Sequence, residues 1–243
     1  MKNNRLNYLR ERRSVRVFKR DPVPDEYITS IIEAARWAPS GANAQPWEFI
    51  IVKDPETRDT MAEQYLKIRM GQYYIEQTRI VELRHHQLSI PPTNKPNFRD
   101  APVLIIVCGD RRIIQGSTLA ARYISCEGGL DGTYLKGIAN ATYGLHLAAT
   151  SLGLGSQWLS VCSEWEQMLK TLLGVPTILQ IHTVVPIGYP LVKPKPPYRR
   201  KLKDIIHYEK YDMFKFRSDG QIIQYIHELR NRTKAAYDQE KQI

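Results

Sequence analysis

The chain has 243 residues, of which 42% are hydrophobic and 25% are charged, and its formal net charge is +10. This composition is typical of an ordinary globular protein and excludes a fibrous or intrinsically disordered one. Its apolar runs are all shorter than the roughly 18 residues needed to cross a bilayer, so we expect no membrane-spanning segment.

The first half of the chain predicts two helices and two buried strands. A helix is expected from about Pro24 to Ala38, because proline suits the first helical position and apolar residues follow at helical spacing. The apolar residues within Glu48–Lys53 predict a buried strand, and the unbroken apolar run Val103–Cys108 predicts another. Between these strands, the chain from Glu56 to about Leu88 is polar and is expected to be helical.

The second half predicts two more helices, a last strand and a polar tail. A long helix is expected from about Gly137 to Leu152, and its face of small residues fits a subunit contact and a plain core helix equally well. Ser163 and Glu166 have the spacing of a capping box, which predicts a helix beginning there. Ile178–Ile187 predicts the final strand, and a polar helix is expected from Ile222. Strands that are few and separated by helices indicate an α+β fold, a sheet wrapped by helices.

The cysteines and the N-terminal residues bear on the cellular compartment. Cys108, Cys126 and Cys162 are odd in number and form no CxxC pair, which argues against a disulfide framework, a zinc site or an iron–sulfur cluster. The charged N-terminal residues lack the apolar core of a secretory signal. We therefore expect a cytoplasmic protein with no metal site of its own.

Basic residues concentrate in two clusters, one near each end of the chain. The N-terminal cluster contains Arg5, Arg10, Arg12, Arg13, Arg16, Lys19 and Arg20, and the C-terminal cluster contains Lys193, Lys195, Arg199, Arg200, Lys201 and Lys203. If the clusters converge in the fold, they form a pocket for a phosphate ester; if they lie apart, a track for a polyanion is more natural. Neither cluster has the pattern of a known nucleic-acid module. The pocket is therefore favoured, and a basic nucleic-acid-binding module without catalysis is the competing interpretation.

The N-terminal cluster contains the segment Arg12-Arg13-Ser14-Val15-Arg16. Arginine offers a planar fork of donors that pairs with a phosphate or with a carbonyl edge. Alternation along an extended segment puts Arg12, Ser14 and Arg16 on the face opposite Val15 and Val17. The segment is therefore suited to clamp a small anion.

Two further segments carry special residues. In Ala38–Trp47 (APSGANAQPW) a proline ends a helix, and the amides of Asn43 and Gln45 can both donate and accept hydrogen bonds. Gly153–Ser160 (GLGSQWLS) follows the long helix, and by itself it indicates only a helix C-cap. In chain order, the three segments resemble those of the nitroreductase family of FMN enzymes, over a stretch from about Arg10 to about Tyr208.

The resemblance implies the architecture and the FMN-binding residues. The fold would be a single domain over residues 1–243, with a central, mostly antiparallel sheet, a variable lid at about 57–99 and a C-terminal extension at about 209–243. The phosphate and the pyrimidine edge of FMN would be held by Arg12, Arg13, Ser14 and Arg16, with Arg199 and Arg200 completing the phosphate clamp. Flavin contacts across a dimer interface would come from Pro39, Ser40, Gly41 and Asn43, with Ala42 on the substrate side. The surroundings of flavin N5 would come from Gln157, Trp158, Leu159 and Ser160.

The same resemblance implies an FMN-dependent NAD(P)H oxidoreductase that acts as a homodimer. NADH or NADPH would reduce the flavin, and a small conjugated acceptor, such as a nitroaromatic or a quinone, would then take two electrons in the same pocket by ping-pong hydride transfer. Solvent can supply protons, so no side chain is assigned a catalytic role, and no nucleic acid or membrane is expected as a partner.

The chain also contains the segments Pro39-Ser40-Gly41-Ala42 and Arg69-Met70-Gly71. These segments resemble the iodotyrosine-dehalogenase branch, which makes a reductive dehalogenase-like flavoenzyme the alternative. That branch holds its amino-acid substrate with a glutamate, a tyrosine and a lysine of the lid. Lys95 fits the lysine and is a candidate substrate-binding residue, but Ala62 and Leu66 stand where the other two would align. This departure argues against halotyrosine specificity.

Overall fold

The fold is that of a computed structural model, which describes residues 6–85, 88, 91–92, 96–116, 129–192 and 194–240. The helices are α1 (Asn7–Glu11), α2 (Asp25–Arg36), α3 (Pro55–Gln77), α4 (Arg111–Gln115), α5 (Gly129–Ser151), α6 (Ser163–Leu173) and α7 (Asp219–Glu240). The strands are β1 (Trp47–Val52), β2 (Val103–Gly109), β3 (Gly155–Ser156), β4 (Leu159–Ser160) and β5 (Gln180–Gly188).

A five-stranded sheet forms the centre of the fold. Its order is β1-β2-β5-β3, β4 also pairs with β5, and every pair of these strands is antiparallel. β2 lies between β1 and β5, and all of its residues are buried, because helices cover both faces of the sheet at this point. This is why its sequence is apolar throughout and does not alternate. The α+β class and the mostly antiparallel sheet are confirmed.

The sheet separates two apolar layers. Alternate residues of β2 face opposite layers, as the pleat of a strand requires. Ile105 packs with residues of α2 and α5, whereas Ile106 packs with residues of α3 and α6. Burial of one such side chain contributes about 1.5–3 kcal/mol, so both layers are needed to hold the sheet.

The long helix α5 begins earlier than predicted, at Gly129, and packs within its own chain. A Cβ added to Gly144 would lie 3.3 Å from the Cα atom of Ala35, so α2 approaches α5 closely. Leu145, on the face of small residues, is fully buried. A core contact between α5 and α2 is therefore present, and the subunit contact stays a prediction. Just after the helix, Gly153 has the left-handed backbone (φ 75°) expected of a residue that ends a helix.

The polar helix predicted to reach about Leu88 is shorter than expected. α3 ends at Gln77, and a short 3₁₀ turn follows at Val81–Leu83. α3 begins as the sequence indicates, because the Asp54 carboxylate accepts a hydrogen bond from the Thr57 N–H at 2.7 Å.

The predicted capping box at Ser163 is wrong. Cys162 occupies the N-cap, Ser163 is the first helical residue, and no side chain caps α6. Glu166 instead accepts a hydrogen bond from the Ile181 N–H at 3.1 Å and pairs with Lys170 at 2.8 Å. Its carboxylate therefore connects α6 to β5 and does not cap the helix.

The C-terminal segment is exposed. After β5 the chain passes through 3₁₀ turns at Leu202–Asp204 and Met213–Lys215 and then enters α7, which begins somewhat before the predicted Ile222. Phe214 has an exposed fraction of 102%, and Tyr208 one of 77%. Within the described residues, no helix is both long enough and apolar enough to cross a membrane.

Candidate active site

The N-terminal arginine segment is held in place by β3. The Val15 N–H donates a hydrogen bond to the carbonyl oxygen of Ser156 at 2.9 Å, and Ser14 and Ser156 form a parallel bridge. Val15 is 3% exposed, and a Cβ added to Gly155 would lie only 2.6 Å from its Cγ2 atom. The segment therefore lies directly against the backbone of β3.

The polar face of this segment remains accessible. Arg12, Arg13 and Ser14 are half-buried, and Arg16 is exposed. Val17, which was predicted to face the core, is only half-buried, and Phe18 occupies the core position instead. The alternation therefore fails after Arg16, because Phe18 bridges to Pro190, next to the end of β5.

Arg12 lies among other cations. Burial lowers the pKa of its guanidinium, the neighbouring Arg199 and Arg13 lower it further, and Tyr143 acts in the opposite sense. Among the described residues, no carboxylate pairs with Arg12. A half-buried guanidinium beside like charges is unfavourable unless an anion neutralises the group. The electrostatics here are those of an anion-binding site.

The two basic ends of the chain come near one another, since the charge of Arg199 lowers the pKa of Arg12, as expected if they form a pocket. Arg199 is exposed, and its Nη1 atom donates to the carbonyl oxygen of Tyr198 at 2.9 Å. Arg200 is half-buried and donates to the carbonyl oxygen of Asp204 at 2.8 Å. Of the two predicted C-terminal arginines, Arg199 is the one whose charge reaches Arg12.

Arg13 carries an unused hydrogen-bond donor. Its Nη1 atom donates to the carbonyl oxygens of Arg10 and Arg12. Its Nε atom is buried and has no hydrogen-bond partner among the described residues. Since a buried donor without an acceptor destabilises the protein, a ligand oxygen would be favourable at this position.

The segment Gln157–Ser160 presents two exposed side chains. Trp158 is 41% exposed and Ser160 is also exposed, whereas Gln157 is half-buried. Leu159 is a core residue, and its carbonyl oxygen accepts a hydrogen bond from the Thr183 hydroxyl at 2.8 Å. The predicted contact at Leu159 is therefore available only to its backbone, because its side chain packs inward.

Sequence reasoning missed His146 of α5. The imidazole is 3% exposed, and its Nδ1 atom lies 2.7 Å from the Oγ atom of Ser156. Its ring stacks on Trp158, with centroids 5.8 Å apart and planes 25° apart. Burial lowers the pKa of His146 to about 4, and the charge of Arg12 acts in the same direction. The available signal was a lone histidine in the otherwise apolar stretch of this helix, which more often marks an ordinary core residue.

The loop after α2 has a strained backbone. Ala42, Asn43 and Gln45 have positive φ angles of 50°, 54° and 46°, a region that residues with a side chain rarely adopt. The Ser40 hydroxyl accepts a hydrogen bond from the Gln45 N–H at 2.9 Å and so closes the loop. The left-handed positions therefore follow Gly41 in the chain and do not include it. Strain of this kind concentrates at functional sites.

The structure separates this loop from the arginine segment along α5. Asn140 of α5 donates to the carbonyl oxygen of Pro39 at 3.0 Å, whereas Tyr143 and His146, further along the helix, neighbour Arg12. Asn140 and His146 are six residues apart in the helix, which separates them by about 9 Å along the helix axis and by about 120° around it. Within one chain, the Pro39–Asn43 loop, which includes Ala42, therefore contacts α5 at a point that precedes His146 in the helix.

The lid candidates contribute little that the structure describes. Lys95 lies outside the described residues. Ala62 of α3 is fully buried and Leu66 is half-buried, and both side chains are apolar, so neither offers a polar group to a substrate.

The described residues also offer no reactive thiol in β2 and no metal site. Cys108 is buried, and burial raises the pKa of its thiol to about 12, which makes it unreactive near neutral pH. No metal-ligating cluster of His, Cys, Asp or Glu occurs in the described ranges.

Comparison with known proteins identifies the family of this chain. The family model described as the nitroreductase family matches residues 9–189. The chain belongs to the nitroreductase family. Family membership makes this nitroreductase-family chain an NAD(P)H-dependent flavin oxidoreductase by class.

Individual nitroreductase-family relatives cover most of the chain. A protein of Archaeoglobus fulgidus, provisionally named NADH dehydrogenase/NAD(P)H nitroreductase, is 32% identical over 187 residues, which are 76% of this chain and 84% of that protein. Iodotyrosine deiodinase 1 of Rattus norvegicus is 30% identical over 199 residues, 75% of this chain and 60% of that protein. The solved structure of an FMN-dependent nitroreductase from Clostridium difficile has a TM-score of 0.57 at 22% identity, and the match covers 85% of this chain and 99% of that one. This last likeness concerns the fold alone.

Proposed function

We propose that this protein binds FMN at the site of Arg12 and Arg199 and passes two electrons from NADH or NADPH to a small conjugated acceptor, such as a nitroaromatic or a quinone. The observation that carries the proposal is that the charge of Arg199 acts on the half-buried guanidinium of Arg12, while no carboxylate among the described residues neutralises either group. A phosphate monoester supplies the missing charge and matches the forked geometry of arginine. Membership of the nitroreductase family, a family of FMN enzymes, supports FMN as that ester.

The phosphate end of FMN would be held by the two basic ends of the chain. The residues proposed for it are Arg12, Arg13, Ser14, Arg16, Arg199 and Arg200. The unpartnered Nε atom of Arg13 fits an acceptor oxygen, and the half-burial of Arg12 strengthens its electrostatic interaction with an anion. Holding the phosphate in this way fixes one end of the cofactor, so that the position of its ring follows from the rest of the site.

The ring end of FMN would lie near the β3–β4 segment. Trp158 offers an exposed aromatic surface, and Ser160 offers an exposed hydroxyl that can donate or accept a hydrogen bond. When bound, FMN supplies the acceptance of a hydride from NAD(P)H and its delivery to the second substrate. Around it, the fixed cations stabilise negative charge and the aromatic surface excludes water from one side.

We further propose that the active form is a homodimer. Support comes from an open groove of about 380 Å³ on the outer side of α2 and α5. Its lining is mostly apolar or small and consists of Tyr8, Ser30, Ala34, Gly144, Leu147, Ala148, Ser151 and Leu152. A second copy packed there would bring its Pro39–Asn43 loop toward the first copy's site. Pro39, Ser40, Gly41, Asn43 and the substrate-side Ala42 would then act across the interface.

A reductive dehalogenase activity is the second candidate, favoured by the 30% identity to iodotyrosine deiodinase 1. The buried Ala62 and the apolar Leu66 count against it, because a zwitterionic amino acid needs charged or polar partners. A nucleic-acid-binding module is disfavoured because the charge of Arg199 acts on Arg12, and two cations that lie near one another suit a compact anion better than a polyanion track. We propose a cytoplasmic location, since Cys108 and Cys162 are free thiols.

The decisive experiment is an absorbance spectrum of the purified protein, followed by anaerobic addition of NADH or NADPH. We expect flavin bands that bleach with at least one donor and recover when a nitroaromatic or a quinone is added. Arg199→Gln should lower FMN occupancy, whereas Lys203→Gln, an exposed cation of the same C-terminal cluster, should not. A protein that is colourless and does not take up added FMN would refute the proposal.

A further inference from the structure

His146 forms an unusual contact between α5 and the β3–β4 segment. It is 3% exposed, it follows the fully buried Leu145, and its Nδ1 atom lies 2.7 Å from the Ser156 hydroxyl oxygen. A histidine in such a place is ordinarily a core residue satisfied by its neighbours. The other ring nitrogen shows that this one is not, because its Nε2 atom is buried and has no hydrogen-bond partner among the described residues.

The unpartnered nitrogen makes a purely structural role for His146 unfavourable. If the Ser156 hydroxyl donates to Nδ1, then Nε2 carries a hydrogen without an acceptor; if Nδ1 donates, Nε2 is an acceptor without a donor. Either tautomer leaves one buried polar atom unsatisfied, which is destabilising. A leucine would fill similar space without that cost. The presence of an imidazole at this position is therefore best explained by the groups that it holds in place, Ser156 through a hydrogen bond and Trp158 through stacking.

Those contacts reach both parts of the proposed site. Ser156 is bonded through its side chain to His146 and through its carbonyl oxygen to the Val15 N–H of the arginine segment, at 2.9 Å. Trp158 lies two residues beyond Ser156 and stacks on the same imidazole ring. The imidazole of His146 thus makes two contacts. One is with β3, to which the arginine segment is hydrogen-bonded, and the other is with Trp158, the aromatic side chain proposed to lie near the flavin ring.

We propose that His146 is a positioning residue, which fixes the distance between the arginine segment and Trp158, and so holds the phosphate-binding and ring-binding parts of the site in register. The inference rests on the proposed binding of FMN. His146 acts through Ser156 and Trp158, because its own ring atoms are buried. Loss of the imidazole should therefore reduce the contribution of the phosphate to FMN binding more than it reduces the affinity for the flavin ring.

The test compares FMN with riboflavin, which lacks only the phosphate. Flavin-free protein is titrated with each ligand by fluorescence quenching, and the ratio of the two dissociation constants measures the contribution of the phosphate. His146→Leu should weaken FMN binding about tenfold, the effect of misplacing one charge-assisted hydrogen bond, and should change riboflavin binding much less. His146→Asn should restore most of the FMN affinity, since its amide can replace Nδ1 toward Ser156.

Two further variants keep the test interpretable. Ser156→Ala removes the same hydrogen bond from the strand side, and its effect on FMN should not add to that of His146→Leu. Thr142→Val removes another buried hydroxyl of α5, which among the described residues donates only to the carbonyl oxygen of Ile138 in its own helix. It should leave the ratio unchanged.

The possible outcomes separate this inference from the proposed function. If wild-type protein binds neither ligand, the proposed function itself is wrong. If wild type binds FMN and His146→Leu keeps the wild-type ratio, or loses both ligands equally, the positioning role is refuted while the flavin site stands. Failure of His146→Asn to restore FMN affinity would also overturn it, because the hydrogen bond to Ser156 is the contact that links His146 to the arginine segment.

Discussion

We expect Arg12 to lower the stability of the flavin-free protein and to raise its affinity for FMN. The substitution Arg12→Gln tests both effects. In the flavin-free protein its guanidinium is half-buried beside Arg199 and Arg13, with no counter-charge among the described residues. Because Arg12 remains partly exposed, solvent screens this repulsion to the range of surface ion pairs, about 0.2–1 kcal/mol. Removing the charge should therefore stabilise the flavin-free protein by about 0.5 kcal/mol, or raise its Tm by about 1–2 °C for a chain of this size.

The same substitution should weaken FMN binding. A hydrogen bond between a guanidinium and a phosphate contributes about 1.5–3 kcal/mol, so FMN affinity should fall about 10- to 100-fold. Urea denaturation of the flavin-free protein at one fixed protein concentration, and FMN titration by fluorescence, measure the two effects. The stability gain should shrink at high salt, because the repulsion is screened.

Arg20→Gln is the matched control for Arg12→Gln. Arg20 belongs to the same N-terminal cluster, but it is exposed and paired with Asp100 at 2.9 Å. Its loss should leave FMN affinity unchanged and should slightly lower stability, the opposite sign to Arg12. If Arg12→Gln instead destabilised the flavin-free protein, or left FMN binding intact, the interpretation of this cluster as an unfilled anion site would be refuted.

Three other substitutions or conditions test separate features. Gly155→Ala should destabilise the protein by about 1–3 kcal/mol in urea denaturation and weaken FMN binding, because the added Cβ would lie 2.6 Å from Val15; unchanged stability would contradict the close packing of this strand. Ala42→Gly should stabilise the protein by about 0.5 kcal/mol, since glycine relieves a φ of 50° at some cost in unfolded-state entropy, and a loss of stability would argue against that conformation. Stability should fall as the pH drops from 6.5 to about 4, because the unfolded chain binds a proton there that His146 in the folded protein does not. The effect should reach at most about 3 kcal/mol and should be smaller in His146→Asn, so equal pH profiles of the two proteins would contradict the burial of a neutral imidazole.

Local patterns were sufficient for the main elements of the fold. α2 and β2 lie within two residues of their expected bounds, because helical spacing and an unbroken apolar run each depend on residues that are near one another in the chain. The end of α3 and the cap of α6 were misplaced, since each depends on contacts made elsewhere. Glu166 had the spacing of a capping residue, and its bond to Ile181 of β5 could not be read from neighbouring positions.

The arginine segment, the loop after α2 and the turn after α5 were all recognisable from the sequence itself, because each combines unusual residue types within a few positions. That Arg12 meets Arg199 was expected only if the two clusters converged, and sequence alone left both arrangements open. Tertiary structure decided it, because β3 holds the arginine segment through Ser156, and β5 leads the chain back to the same place. His146 became visible only in the folded protein, since a lone histidine acquires a role from the groups that surround it, and these come from α5, β3 and the N-terminal segment together.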